Sequence, residues 1–191
     1  MTAIQKPYLS EKDYLEEERK ASFKSEYYKG EVFAMSGATK EHNKITAAVI
    51  GELYGHLKNK ACSVMPSDIR VYNSITTLYT YPDVVVSCEE EKYLDYEFDT
   101  LLNPTIVIEI LSITTQDYDR GTKFMLYRSI PSLKHYVLIS SLEHSIEIYT
   151  RDGEQWILNT ANELENELYL SAIDYRFKLK DMYVQVPNLG K

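Results

Sequence analysis

The segment Thr105-Ile106-Val107-Ile108-Glu109-Ile110-Leu111 is apolar at nearly every position. A strand with one wet face alternates apolar and polar residues, so a run this continuous predicts a strand covered on both faces. Such a strand belongs in a sheet flanked by helices, which places the chain in the α/β (α+β) class. The one interruption is Glu109, a carboxylate where the pattern calls for an apolar side chain.

Around this strand the remaining elements can be read off. Ser10 is positioned to cap a short helix ending near Lys20, and Lys29-Gly30 sits between aromatic-rich strands as a hairpin turn. From Lys40 to Asn59, Ile45, Val49, Leu53 and Leu57 recur every fourth residue, the period of an amphipathic helix. Cys62 to Tyr72 and Leu78 to Cys88 read as two strands of one hairpin. Glu89 to Asn103 is acidic and aromatic without period, and is expected to be a loop. Asp117 to Ser129 reads as a helix stopped by Ile130-Pro131, and Leu133 to Ser140 as a central strand. Glu143 to Arg151 and Gln155 to Asn159 form a hairpin turning at Asp152-Gly153, and Leu168 to Tyr183 a short strand with a capping segment.

With 191 residues, the chain suits one domain, since a domain near this size buries roughly 70% of its unfolded surface. The expectation is a single domain over 1–191, with a core at about 40–140, an N-terminal helix and hairpin at 10–36, and a C-terminal β extension at 141–185. The apolar runs are far shorter than the roughly 20 residues of a membrane span. Met1 to Lys12 has no basic stretch followed by an apolar one, so no signal peptide is expected. Cys62 and Cys88 form no CxxC pair, and free thiols are the simplest account. A cytoplasmic location follows from these readings.

A second carboxylate in an apolar setting is Asp83, in Pro82-Asp83-Val84-Val85-Val86. Burying either Asp83 or Glu109 is costly without a partner. Together on neighbouring strands they would suit Mg²⁺, with Mn²⁺ as a substitute, because Mg²⁺ takes one or two carboxylates and keeps its waters. Such an ion polarises a phosphoryl oxygen and activates water. The alternative is structural, with Asp83 a strand-start residue after proline and Glu109 an ion-pair partner of Arg120 or Lys123. Asp68 and Arg70 share strand parity, so Asp68 either supports the site or pairs with Arg70. Asp119, Lys123 and Tyr127 follow at four-residue spacing. Lys123 is either a surface partner of Asp119 or, if that face meets the sheet, a cation beside a scissile phosphate. Ser112 and Arg120 are supporting candidates at the same edge, and Glu31 and His42 stand nearby, His42 alternatively as a capping or core residue.

Several stretches, in order, carry a family resemblance: Glu26-Tyr27-Tyr28-Lys29-Gly30-Glu31-Val32, Glu41-His42-Asn43, Pro66-Ser67-Asp68-Ile69-Arg70-Val71, Tyr81-Pro82-Asp83-Val84-Val85-Val86, Asn103 to Ser112, Tyr118 to Phe124 and Tyr127 to Leu133. Over roughly residues 10 to 185 the chain resembles the Putative restriction endonuclease family of bacteria, a branch of the PD-(D/E)XK nuclease superfamily. The resemblance implies a restriction-endonuclease-like core, a mixed sheet flanked by helices, with Mg²⁺ on Asp83 and Glu109. Leu111 stands where the superfamily usually has lysine, and by the resemblance Lys123 takes that role.

The resulting expectation is a Mg²⁺-dependent endonuclease acting on DNA. The acidic balance, 21 basic against 29 acidic residues and a net charge of −8, instead favours a non-catalytic module of the same fold that binds nucleic acid or protein. A homodimer using the surface of the 17 tyrosines is a further expectation.

Overall fold

The computed structural model describes residues 8–35 and 37–190. Most of the stretch read for a leader, and the last residue of the N-terminal segment, Ser36, lie outside them. Helix α1 (Glu11–Glu18) is capped by Ser10, whose hydroxyl accepts the Asp13 amide. It leads into the hairpin β1 (Ser25–Tyr28) and β2 (Glu31–Ala34). At the turn Lys29 and Gly30 both have positive φ, and the Tyr8 ring fills the space where a Gly30 side chain would stand, so only glycine fits there.

Helix α2 (Lys40–Leu57) buries Ile45, Val49, Leu53 and Leu57, the stripe its period predicts. The next two expected strands each divide. Cys62 to Tyr72 becomes β3 (Ser63–Pro66) and β4 (Arg70–Asn73), and its partner becomes β5 (Leu78–Thr80) and β6 (Val84–Ser87). β4 pairs with β5 and β3 with β6, both antiparallel, but the two pairs belong to different sheets. The long hairpin splits at Ser67–Ile69 and Tyr81–Asp83, which leaves Asp83 where the two sheets part.

Two elements were missed between and after the main strands. The expected loop at 89–103 contains β7 (Thr100–Leu101), parallel to β4. The C-terminal segment holds two strands rather than one, β12 (Glu167–Leu170) and β13 (Tyr175–Lys178), followed by α5 (Leu179–Met182).

The larger sheet adds β8 (Ile106–Leu111), β9 (His135–Ser140), β10 (Ile146–Asp152) and β11 (Gln155–Ala161) to β3 and β6. Its six strands lie in the order β11-β10-β9-β8-β6-β3. β8 and β9 are parallel and fully buried, joined by the one helical crossover, while the other pairs are antiparallel. The smaller sheet runs β2-β1-β5-β4-β7.

The alternation along β8 sorts the core. Ile106, Ile108 and Ile110 face α2 and the C-terminal elements, while Val107 and Leu111 face Tyr127, Ile130 and Leu133 of the crossover. Glu109 shares the parity of the second face, so it points at the crossover helix.

Cys62 and Cys88 are joined by a disulfide, not free thiols. Ser63 pairs with Ser87, and one step further the register sets the two cysteines opposite each other. The bond arises from strand pairing, which a search for local cysteine motifs does not see. With it goes the thiol argument for a cytoplasmic location. Among the described residues, no helix is long and apolar enough to cross a membrane.

Candidate active site

The crossover helix decides what faces Glu109. It starts as α3 (Gln116–Tyr118), runs through a π-helical segment at Asp119–Lys123, and continues as α4 (Phe124–Tyr127). The wider π turn places Asp119, Lys123 and Tyr127 against the sheet, all buried. The Asp119–Lys123 pair is therefore no surface salt bridge. π segments of this kind recur at functional sites.

Lys123 Nζ lies 3.0 Å from Glu109 Oε1, 3.0 Å from Glu26 Oε1 and 3.7 Å from Asp119 Oδ1. Tyr127 Oη lies 3.1 Å from Glu109 Oε1 and 3.2 Å from Thr80 Oγ1, within reach of either with its one proton, and the Thr80 hydroxyl donates to Glu26. Asp83 stands at the strand end next to Glu109. The register Val84↔Ile108, carried back one residue, sets the two opposite each other. Asp83 Oδ2 accepts the Ile110 amide at 2.7 Å and lies 3.2 Å from His42 Nε2. His42 reaches it from the first turn of α2, where Thr39 caps the helix.

Charge in this cluster is unbalanced, with several carboxylates around one buried ammonium. Burial pushes Glu109 well above the ordinary carboxylate range; Lys123 opposes this, and Asp119, Asp83 and Glu26 add to it. Asp119 is raised for the same leading reason. For Lys123 burial acts downward, but Glu109, Glu26 and Asp119 outweigh it and hold the ammonium protonated. A site that favours protons on its carboxylates is one in which added positive charge is stabilising.

The other expected residues are placed differently. Asp68 is exposed in the β3–β4 turn and pairs with Lys24 at 2.8 Å, neither in the cluster nor with Arg70. Arg70 is buried instead against Asp99, Thr100 and Tyr81. The split of the strand after Pro66 removes the shared parity on which an Asp68–Arg70 pair depended. Arg120 turns to Glu147 at 2.7 Å and to Gln116 at 2.9 Å, not to Glu109. The Ser112 hydroxyl stays local, 3.1 Å from those of Thr114 and Thr115. Glu31 opens the outer strand β2 and is exposed.

Glu26 is the residue that sequence reasoning passed over. Its signal was present, since a glutamate inside Ser25-Glu26-Tyr27-Tyr28 interrupts a buried aromatic strand much as Glu109 interrupts an aliphatic one.

The donor set fits a divalent ion such as Mg²⁺. Asp83 Oδ1 and Glu109 Oε2 accept no hydrogen bond among the described residues. No three His, Cys, Asp or Glu side chains among the described residues form a ready-made cage. Two carboxylates completed by waters is the ordinary arrangement for Mg²⁺, and a poor one for Zn²⁺.

A protein of Synechocystis sp. described as uncharacterized is 35% identical over 179 residues, covering 93% of this chain and 92% of the relative. A second from the same organism, also uncharacterized, is 34% identical over 151 residues, covering 78% and 85%. A crystal structure described as a putative nuclease belonging to DUF820, from Anabaena variabilis ATCC 29413, matches with a TM-score of 0.72 at 16% identity, covering 86% of this chain and 92% of that one. At that identity the likeness bears on the fold, which is the restriction-endonuclease-like mixed sheet with flanking helices. The family described as "Putative restriction endonuclease" matches residues 11–180, and with nearly the whole chain covered, the protein belongs to that family.

Proposed function

We infer that the protein is a divalent-cation-dependent nuclease that hydrolyses DNA phosphodiester bonds, with Asp83 and Glu109 as the ligands of Mg²⁺ or Mn²⁺. When bound, such an ion supplies Lewis-acid polarisation of the phosphoryl oxygen and a water of lowered pKa. His42 and the Ile110 amide fix the Asp83 carboxylate from two sides, so its free oxygen keeps a constant direction. Lys123 presents a permanent cation to charge developing on the phosphate.

The observation that carries this reading is the convergence of three groups: Asp83 stands opposite Glu109 across the β6–β8 pair, and Lys123 Nζ lies 3.0 Å from Glu109 Oε1. Position 111 is a buried leucine, yet a lysine reaches the glutamate from the following helix. The test is cleavage of plasmid DNA with and without Mg²⁺ or Mn²⁺. Cleavage is expected from the wild type and to be lost in Asp83→Ala and in Glu109→Ala. Activity surviving in both variants overturns the assignment.

The net charge of −8 favours a second reading, a module of the same fold that binds nucleic acid or protein without cutting. That reading expects no carboxylate-dependent Mn²⁺ binding in calorimetry. A homodimer belongs to the proposal as well. β2 is a sheet edge with Val32 and Phe33 exposed, a surface suited to edge-to-edge pairing. Light scattering that gives only the 22.2 kDa chain removes the dimer.

A further inference from the structure

We propose that Glu26 is a positioning residue for Lys123, so that the N-terminal hairpin forms one wall of the hydrolytic site. The proposal rests on the nuclease reading above and adds to it a role for the smaller sheet.

Lys123 Nζ is suspended between the two sheets, 3.0 Å from Glu109 on the larger and 3.0 Å from Glu26 on the smaller. Its third carboxylate, Asp119, stands further off at 3.7 Å. Glu109 is assigned to the ion, so Glu26 is the near carboxylate on Lys123 that the ion does not claim. A lysine side chain has four rotatable bonds, and a catalytic cation is effective only if held within about 0.5 Å of its productive place. One ion pair sets a distance; two opposed ones set a position.

The surroundings of Glu26 serve the same end. Thr80 donates to its Oε1, the Tyr127 hydroxyl lies within hydrogen-bond distance of both Thr80 and Glu109, and Lys123 closes the circuit. β1 itself is fixed between β2 and β5, with Tyr27 fully buried beside Glu26. A carboxylate on a paired strand is held more rigidly than one on a loop. Fold stability alone gives no reason to send a glutamate from one sheet to a lysine already paired in the other, since a buried ion pair is often no better than apolar packing.

The experiment compares wild type, Glu26→Gln, Glu26→Asp, Lys123→Met and the Glu26→Gln/Lys123→Met double variant. It reads kcat and KM for plasmid cleavage at saturating Mn²⁺, and Mn²⁺ affinity by calorimetry. Glu26→Gln is expected to lower kcat by about tenfold or more, with KM and Mn²⁺ affinity changed by no more than about twofold. Retained Mn²⁺ affinity also shows that the variant is folded. Glu26→Asp should recover part of the lost kcat. In the Lys123→Met background Glu26→Gln should have no further effect, because a residue acting through Lys123 has nothing left to position. Losses that multiply in the double variant, an unchanged kcat in Glu26→Gln, or Mn²⁺ binding weakened about tenfold by Glu26→Gln would each overturn the proposal. A wild type that binds Mn²⁺ and cuts nothing overturns the nuclease reading itself, and this role with it.

Discussion

Lys123 and Glu109 touch each other, yet their removal should change stability in opposite directions. Lys123 is the single ammonium among Glu26, Glu109 and Asp119. Replacing it with methionine leaves buried carboxylates without a counter-charge, a change that costs about 3–5 kcal/mol. Glu109→Gln keeps the side-chain volume and the Tyr127 contact and removes one charge from an overly acidic cluster. Its stability without divalent ions should stay level or rise by about 0.5–2 kcal/mol, as at other sites where function is bought with strain. Denaturant unfolding in EDTA measures both. A destabilised Glu109→Gln together with a neutral Lys123→Met would contradict an excess of negative charge in the cluster. The sequence displayed Asp83 and Glu109 because a carboxylate in an apolar run is visible in one dimension. It did not display Glu26 as their neighbour, because that proximity depends on how the two sheets meet.

At the scale of elements, the π segment sets the direction of Lys123. One residue of an α-helix turns about 100°. Deleting Gly121, whose missing side chain faces open space, should convert the π turn to α and swing Asp119 away from the lysine's face. The expected outcome is retained helix content by circular dichroism with loss of cleavage; full activity after the deletion would show that the π turn is incidental. The four-residue spacing of Asp119, Lys123 and Tyr127 was legible in the sequence, but a π turn has no composition that marks it.

The C-terminal hairpin is pinned by His135 on β9, which accepts the Ala172 amide at 3.1 Å and contacts the Thr150 and Ser171 hydroxyls. Burial pushes the His135 ring down to about 4. A folded value below the unfolded one means that the unfolded chain binds more protons in between. The stability tied to this ring is therefore present above about pH 6.5 and lost as pH falls toward 4. The loss is on the order of 3 kcal/mol. His135→Gln should flatten that part of the stability curve, and an unchanged slope would assign it to other groups.

Across the whole molecule, two sheets joined at the split hairpin bring distant segments into one site, from Glu26 and His42 near the start to Lys123 past the middle. The periodic parts were readable: α2, the buried strand β8 and a helix ahead of the central strand β9 follow from local pattern. The division of Cys62–Tyr72 and Leu78–Cys88 was not, because an extended chain reads the same whether it stays in one sheet or passes to the next. The disulfide was hidden for the same reason. It lies at the Ser63↔Ser87 end of the β3–β6 pair, away from Asp83 at the other end of β6. Replacing both cysteines with serine should lower stability by up to about 3.5 kcal/mol, the entropy of a loop of this size, and leave Mn²⁺ affinity unchanged. Metal binding lost with the disulfide would mean that the two ends of the strand are coupled.

Asp83 and Glu109 are proposed to form one metal site served by Lys123. Anomalous diffraction from a crystal soaked in Mn²⁺ tests it most directly. A manganese peak within about 2.0–2.3 Å of an oxygen of Asp83 and of Glu109, with Lys123 Nζ beside it, is the predicted result. A peak bound elsewhere, or no peak between these carboxylates at saturating Mn²⁺, would contradict it.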